Sequence, residues 1–238
     1  MIPKKIHYCW FGKGKKSNLI EKCIASWKKY CPDYEIIEWN EENFNIDNCE
    51  YTRFCYDNKK WAYLSDYVRL WAVENYGGLY FDTDVELIKS PNTLLTNNAF
   101  FCFEGKQFIT TGLGFGSIER HWAVTKMANA YREKKIDELN KTLNKYGALT
   151  GSPKMNTYAF IEYGLLQNGD KQMVNDVCIL SSDFLCPFND LTGELNLTEN
   201  TIAIHWYGKS ANKKTSAVKT RMLRPIRRLL KKLGRQYV

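Results

Sequence analysis

No stretch of this 238-residue chain approaches the roughly 20 consecutive apolar residues that a membrane-spanning helix needs. The N-terminal Met1-Ile2-Pro3-Lys4-Lys5-Ile6 has no apolar run long enough for a secretory signal, so a cytosolic protein is expected. No Cys-x-x-Cys pair occurs among the eight cysteines, which argues against a zinc ribbon or a thioredoxin-like redox pair. Reduced thiols, several of them small core residues, are expected instead. The glycine-rich stretch Thr110 to Ser117 lacks a Gly-Lys-Ser/Thr ending and is not a phosphate-binding loop; it reads as a strand or as a loop beside a ligand. No internal repeat, low-complexity tract or domain linker is present, and only three histidines are available as ligands or bases.

The length suits one sizeable α/β domain. Ile6 to Phe11 reads as a strand closed by Gly12-Lys13-Gly14, Asn18 to Tyr30 as an amphipathic helix, and Tyr34 to Trp39 as a second strand. Asn40 to Asn58 is polar and reads as loop with short helical turns. Trp61 to Tyr76 is a helix without internal proline or glycine, stopped by Gly77-Gly78. Ala99 to Phe103, Val177 to Leu180 and Thr201 to His205 read as strands, and His121 to Glu133 and Tyr158 to Leu166 as helices. Strand alternating with helix predicts a Rossmann-like, mostly parallel sheet flanked by helices.

The chemistry concentrates between Asp66 and Asp84. Leu79, Tyr80, Phe81 and Val85 read as a short buried strand, on which Asp82 and Asp84 would share one face roughly 7 Å apart. Two such carboxylates repel each other unless a cation sits between them. Read blandly, they are a solvated strand end. Asp66 and Arg69 share a face of the preceding helix. Alone they suggest a surface ion pair worth about 0 to 1 kcal/mol; the alternative is a guanidinium aimed at phosphate and a carboxylate aimed at sugar hydroxyls. His7 reads as a satisfied strand residue and His121 as a surface or cap residue, while a lone histidine at a strand end, such as His205, is by itself more often structural than ligating.

The net charge of +8 is unevenly placed. Eleven Lys or Arg and no acidic residue lie between Lys209 and Arg235; the rest of the chain has 23 basic against 26 acidic residues. Val218, Met222, Leu223, Ile226, Leu229, Leu230 and Leu233 recur there at helical spacing, with Pro225 set to kink or divide the helix. A basic amphipathic tail over 212–238 is expected, with an anionic membrane surface as its partner. No nucleic-acid recognition motif accompanies it.

The ordered set Ser65-Asp66-x-x-Arg69, Gly77-Gly78-x-Tyr80, Asp82-x-Asp84, together with the His7-to-Gly12 strand and Ile204 to Ser210, resembles the bacterial polysaccharide-synthesis glycosyltransferases with a sugar-binding Asp-x-Asp region. That family is related to fungal initiating mannosyltransferases and, more distantly, to the large glucosylating toxins. The resemblance covers residues 2 to 90 and returns at His205. It implies a GT-A fold over 1–211, a nucleotide-sugar donor with a UDP-sugar favoured, manganese or magnesium, and retention of anomeric configuration. Trp10 would lie beside the base, Asp66 and Arg69 would hold the sugar and phosphate, and Asp82 would face the ribose and metal. Asp84 would bind the metal directly, His205 would complete its coordination, and Ser210 would contact the diphosphate. Asp66, Arg69 and Asp84 are thus the expected catalytic set. The chain departs from the family at Ala211, where tryptophan often follows that serine.

With the basic tail, the expected setting is the inner membrane face, and the expected role is transfer to a lipid-linked saccharide in surface polysaccharide synthesis. A protein-glycosylating effector and a non-catalytic nucleotide-sugar-binding module are the alternatives.

Overall fold

The computed structural model describes residues 1–208, 222–225 and 227–229. In chain order the elements are β1 (Lys5–Cys9), α1 (Asn18–Tyr30), β2 (Glu35–Trp39), α2 (Glu50–Asp57), α3 (Trp61–Tyr76), β3 (Gly78–Tyr80) and β4 (Val85–Leu87). Then come β5 (Ala99–Glu104), β6 (Phe108–Ile109), β7 (Phe115–Ser117), α4 (Trp122–Arg132), α5 (Ile136–Tyr146) and α6 (Ser152–Ile161). The chain continues through β8 (Gln172–Val174), β9 (Val177–Leu180), β10 (Phe188–Asn189), β11 (Glu194–Leu195) and β12 (Ala203–His205).

The main sheet has the order β2-β1-β3-β7-β5-β9-β8, with β6 paired to β5. β2, β1, β3, β5 and β9 run one way, whereas β6, β7 and β8 oppose them, so the sheet is mixed and mostly parallel. Its strands are apolar on both faces, as expected when helices cover each side. Ile6, Tyr8, Leu79, Phe81, Phe100 and Cys102 pack into one core with Trp27 of α1. Cys9, Tyr80, Phe101 and Phe103 point the other way, into a core built with α2, α3, α4 and α6. All eight cysteines are free thiols and six of them are buried.

α1 and α3 occupy the spans their patterns predict, because each carries a sustained apolar stripe and a definite stop. Ser17 caps α1 by accepting from the Ile20 amide. Gly77 ends α3 at φ +59° and Gly78 follows at +104°, a backbone that only glycine adopts readily.

Three expectations are corrected. The strand expected to run through Asp82 and Asp84 breaks after Tyr80, and those carboxylates sit on a turn closed by the Val85 amide donating to the Asp82 carbonyl at 3.0 Å. Asp-Thr-Asp suits such a turn better than an extended run. The helix expected from Tyr158 begins instead at Ser152, because Pro153 lies in its first turn, where a missing N–H costs nothing. The polar stretch before Asn58 includes α2, two turns long.

The expected basic amphipathic tail lies mostly outside the described residues, as does the 211/212 domain boundary; residues 222–225 and 227–229 are helical. Among the described residues no helix is long and apolar enough to cross a membrane.

His7 is fully buried in β1, with both ring nitrogens paired. Nε2 donates to the Gly77 carbonyl at 2.8 Å and Nδ1 accepts from Trp39 Nε1 at 3.2 Å, which fixes the neutral tautomer. Burial lowers its pKa from 6.5 to about 4. The unfolded chain takes this proton below pH 6.5 while the folded chain resists it, so stability is complete above 6.5 and declines by about 3 kcal/mol towards pH 4. Urea unfolding should show a steeper loss over that interval in the wild type than in His7→Leu. Equal slopes would contradict the assignment.

Candidate active site

α3 places Asp66 and Arg69 one turn apart beneath the end of β3. Arg69 is only 4% exposed, so the pair is not the surface ion pair that its spacing alone suggests. Its guanidinium bridges two carboxylates: Nη1 lies 3.1 Å from Asp66 Oδ1, and Nη2 lies 3.1 Å from Asp82 Oδ1. Nη1 also donates to Thr111 Oγ1 at 3.2 Å, and the guanidinium carbon lies 5.1 Å from the Tyr80 ring centroid. A planar fork of donors is suited to this sharing.

Asp82 is fixed from several sides. Tyr80, two residues back on β3, donates its hydroxyl to Oδ1 at 2.8 Å. The Asp82 amide donates to the Gly112 carbonyl at 3.3 Å. A Cβ on Gly112 would stand 2.4 Å from Asp82 Oδ2, so the absence of a side chain there makes room for the carboxylate. Gly112 is therefore a packing requirement of the site, whereas Gly114 and Gly116 make room for the core side chains of Phe81, Leu79 and Phe100.

β12 brings in the third group. It pairs antiparallel with β4, His205 opposite Val85, and so carries a residue more than a hundred positions away to the neighbour of Asp84. His205 Nε2 lies 3.2 Å from Asp84 Oδ1, and the Gly208 amide donates to Asp84 Oδ2 at 2.7 Å. Carboxylate oxygens of Asp82 and Asp84 and a ring nitrogen of His205 all lie within 4.8 Å of one another. His205 Nδ1 is buried without a hydrogen-bond partner among the described residues. Two hard oxygen donors with one imidazole fit a divalent first-row cation.

The electrostatics agree. Burial raises the pKa of Asp82, and repulsion from Asp84 adds to it despite the attraction of Arg69. Burial alone would raise Asp84 too, but the charge and hydrogen bond of His205 and the Gly208 amide hold it below the ordinary carboxylate value. Burial opposes charging of His205, yet Asp84 and Asp82 raise its pKa overall. Burial pushes Asp66 up to about 6 against the pull of Arg69. With one guanidinium among three carboxylates, the cluster carries more negative charge than its fixed partners neutralise. Ligation by His205 requires it to give up its proton, so metal uptake should weaken as pH falls.

Trp10 sits at the same end of the sheet, just beyond the carboxyl end of β1, beside β3. Its indole donates to the Gly14 carbonyl at 2.8 Å, and Lys16 Nζ lies 5.4 Å from its ring. Ser210 lies outside the described residues. His121 is the N-cap of α4, as its cap reading expects, but it is buried against Asp176 and is not a surface residue. The structure thus brings together Asp66, Arg69, Asp82, Asp84 and His205.

Sequence reasoning missed three groups around them. Thr111 accepts from Arg69 and from Asn156 Nδ2 at 3.0 Å. Tyr207, at φ +51°, packs its ring 4.2 Å from that of His205 and donates to Glu104 Oε1 at 2.7 Å. A cavity of about 550 Å³ opens beside this tyrosine, lined by Glu104, Asp183, Cys186, Phe188 and Asn189 among others. Only the odd φ demanded of Tyr207 just ahead of Gly208, and the repeated glycines beside Thr111, leave any local mark in the sequence.

The site sits at the carboxyl ends of the parallel strands, where open α/β sheets bind ligands. Superposition on the PaToxG glycosyltransferase gives a TM-score of 0.51 at 16% identity, covering 68% of this chain and 69% of that one. The fold is of the GT-A type. Residues 17–101 match the family model described as a glycosyltransferase sugar-binding region containing the DXD motif. That span takes in α1, α3 and the Asp82–Asp84 turn. Inositol phosphoceramide mannosyltransferase 3 of Schizosaccharomyces pombe is 31% identical over 102 residues, 40% of this chain and 27% of that protein. The chain therefore spans about a quarter of that relative's length. A glycosyltransferase involved in glycosylating the major capsid of PBCV-1 aligns over 92% of this chain and all of its own at 12% identity and a TM-score of 0.47.

Gly112→Ala should displace the Asp82 carboxylate and weaken divalent-metal binding by about tenfold or more, with the unfolding midpoint little changed. Unaltered metal affinity, measured by calorimetry with manganese, would contradict the close packing of Gly112 on Asp82.

Proposed function

We propose that the protein is a metal-dependent, retaining glycosyltransferase that moves a sugar from a nucleotide sugar, a UDP-sugar being favoured, to a saccharide acceptor. The observation that carries this reading is the convergence of Asp82, Asp84 and His205 on one point beside a buried Arg69. It occurs at a turn within the region that matches the sugar-binding model. A non-catalytic binding module gains little from carboxylates poised at a leaving diphosphate.

In this reading Asp82, Asp84 and His205 hold manganese or magnesium, which when bound stabilises negative charge developing on the diphosphate. Arg69 faces the phosphate side and Asp66 takes hydroxyls of the donor sugar. Trp10 lies beside the base, and Ser210 contacts the diphosphate. Arg69 is held in place before substrate arrives by its bonds to Asp66, Asp82 and Thr111, so its charge needs little reorganisation during the reaction. The cavity beside Tyr207 takes the acceptor; its carboxylates, amides and the Phe188 ring suit a hydroxyl-rich saccharide. Retention by attack on the leaving-group face calls for no protein nucleophile.

The acceptor is a lipid-linked saccharide in surface polysaccharide assembly, and the basic 209–235 segment favours an anionic membrane surface at the cytoplasmic face.

Release of nucleoside diphosphate from a panel of UDP- and GDP-sugars, with and without manganese, tests the activity. Turnover of one donor should depend on manganese and fall at least about 10²-fold in Asp84→Asn with the fold intact. Absence of turnover with every donor, or near-normal turnover in that variant, would overturn the proposal.

A further inference from the structure

The short β10–β11 hairpin stands apart from the main sheet. Its ladder is two residue pairs, Phe188 with Leu195 and Asn189 with Glu194. A two-stranded ribbon of that length is marginal without outside support. Yet Phe188, Asn189, Asp190 and Leu191 line the cavity beside Tyr207, so the hairpin forms one of its walls.

Support comes from far along the chain. Arg224 and Arg228, one helical turn apart and hence on one face, both reach the hairpin. Arg224 Nε donates to the Asp190 carbonyl at 3.1 Å, and Nη2 donates to Asp190 Oδ1 at 3.1 Å. Its guanidinium also lies 5.5 Å from the Phe188 ring centroid. Arg228 donates to the Thr192 carbonyl at 2.7 Å and to the Gly193 carbonyl at 3.2 Å. A Cβ on Gly193 would come within 2.8 Å of Arg224 Cδ, so a side chain there would displace the arginine from its present position on the turn. These are directed contacts to carbonyls of a tight turn, which a charge merely solvated at the surface would not make.

The contact continues inward. Phe188 packs against Trp206, with ring centroids 5.3 Å apart, and the Trp206 amide donates to the Asp84 carbonyl at 3.0 Å. Two residues, Phe188 and Trp206, therefore lie between Arg224 and the Asp82–Asp84 turn.

We infer that Arg224 and Arg228 are positioning residues for the acceptor cavity: they brace the β10–β11 hairpin and so set the wall on the acceptor side of the site. The inference rests on the glycosyltransferase reading only in naming the occupant of the cavity. It gives two of the eleven basic residues of the 209–235 segment a structural task distinct from membrane attraction.

Cys186 lines the same cavity, with its thiol 3.1 Å from the Tyr207 hydroxyl, and burial pushes its pKa up to about 11. It reports on the wall directly, because the thiolate is the species that alkylates. The experiment measures iodoacetamide alkylation of each cysteine in the full chain by peptide mass spectrometry, alongside donor hydrolysis. In Arg224→Ala/Arg228→Ala, Cys186 should alkylate about tenfold faster or more, and the partly exposed Cys49 at the start of α2 should be unchanged. The kcat and KM for donor hydrolysis should stay within about twofold. Arg228→Lys, which can still donate to one carbonyl, should fall between. Unchanged Cys186 alkylation would overturn the inference, as would acceleration at Cys49 and the buried thiols alike, which means general loosening. Donor hydrolysis falling in step with Cys186 protection would refute the assignment to the acceptor side. If the wild type hydrolyses no donor, the glycosyltransferase reading falls, while the Cys186 rates still decide whether the arginines brace the hairpin.

Discussion

Three part-buried carboxylates share one buried guanidinium at the end of β3, and much of the surrounding architecture follows from that imbalance. Removing a carboxylate from water costs several kcal/mol unless charges and donors replace the solvent. Arg69 compensates Asp66 and Asp82 together, Tyr80 adds a hydroxyl to Asp82, and Gly208 adds an amide to Asp84. His205 leans on Asp84 as the remaining positive partner. The Gly112 position, the β4–β12 pairing and the buried stretch of α3 are consistent with serving this balance. What is left over is a negative site with two carboxylates and an imidazole facing one point, the arrangement that a divalent cation completes.

Much of this was legible in the residues themselves. α1, α3 and β9 carry sustained apolar patterns with definite ends, and the structure follows them residue for residue. Asp66, Arg69, Asp82 and Asp84 are close in sequence, so their meeting needs only one helix and one strand. His205 and its meeting with Asp84 were expected from the family resemblance alone, because the β4–β12 pairing is a long-range choice that no local pattern encodes. The Asp-Thr-Asp turn was misread as strand because apolar residues flank it on both sides. The helix expected from Tyr158 starts six residues earlier because Pro153 occupies the one part of a helix where proline is at home. Thr111 and Tyr207 lay in segments the sequence marked without assigning them a role, and Asn156 and Glu104 left no mark, because each joins the site through contacts spanning tens of residues.

The carboxylate cluster and the cavity beside Tyr207 draw on different parts of the chain. The matched region supplies Asp66, Arg69, Asp82 and Asp84. Everything that walls the cavity comes later, from Glu104 at the end of β5 to the β10–β11 hairpin and Tyr207. The second half of the chain reaches back to the Asp84 turn through His205, by the β4–β12 pairing.

The account stands or falls on whether Asp82, Asp84 and His205 bind a cation that in turn holds a diphosphate. Electron paramagnetic resonance of manganese with the wild-type protein, titrated with and without UDP or GDP, measures both affinities and their coupling. One bound manganese per chain, tightened by the diphosphate and lost in Asp84→Asn, is the predicted result. Manganese binding that ignores the diphosphate, or that survives intact in the variant, would contradict it.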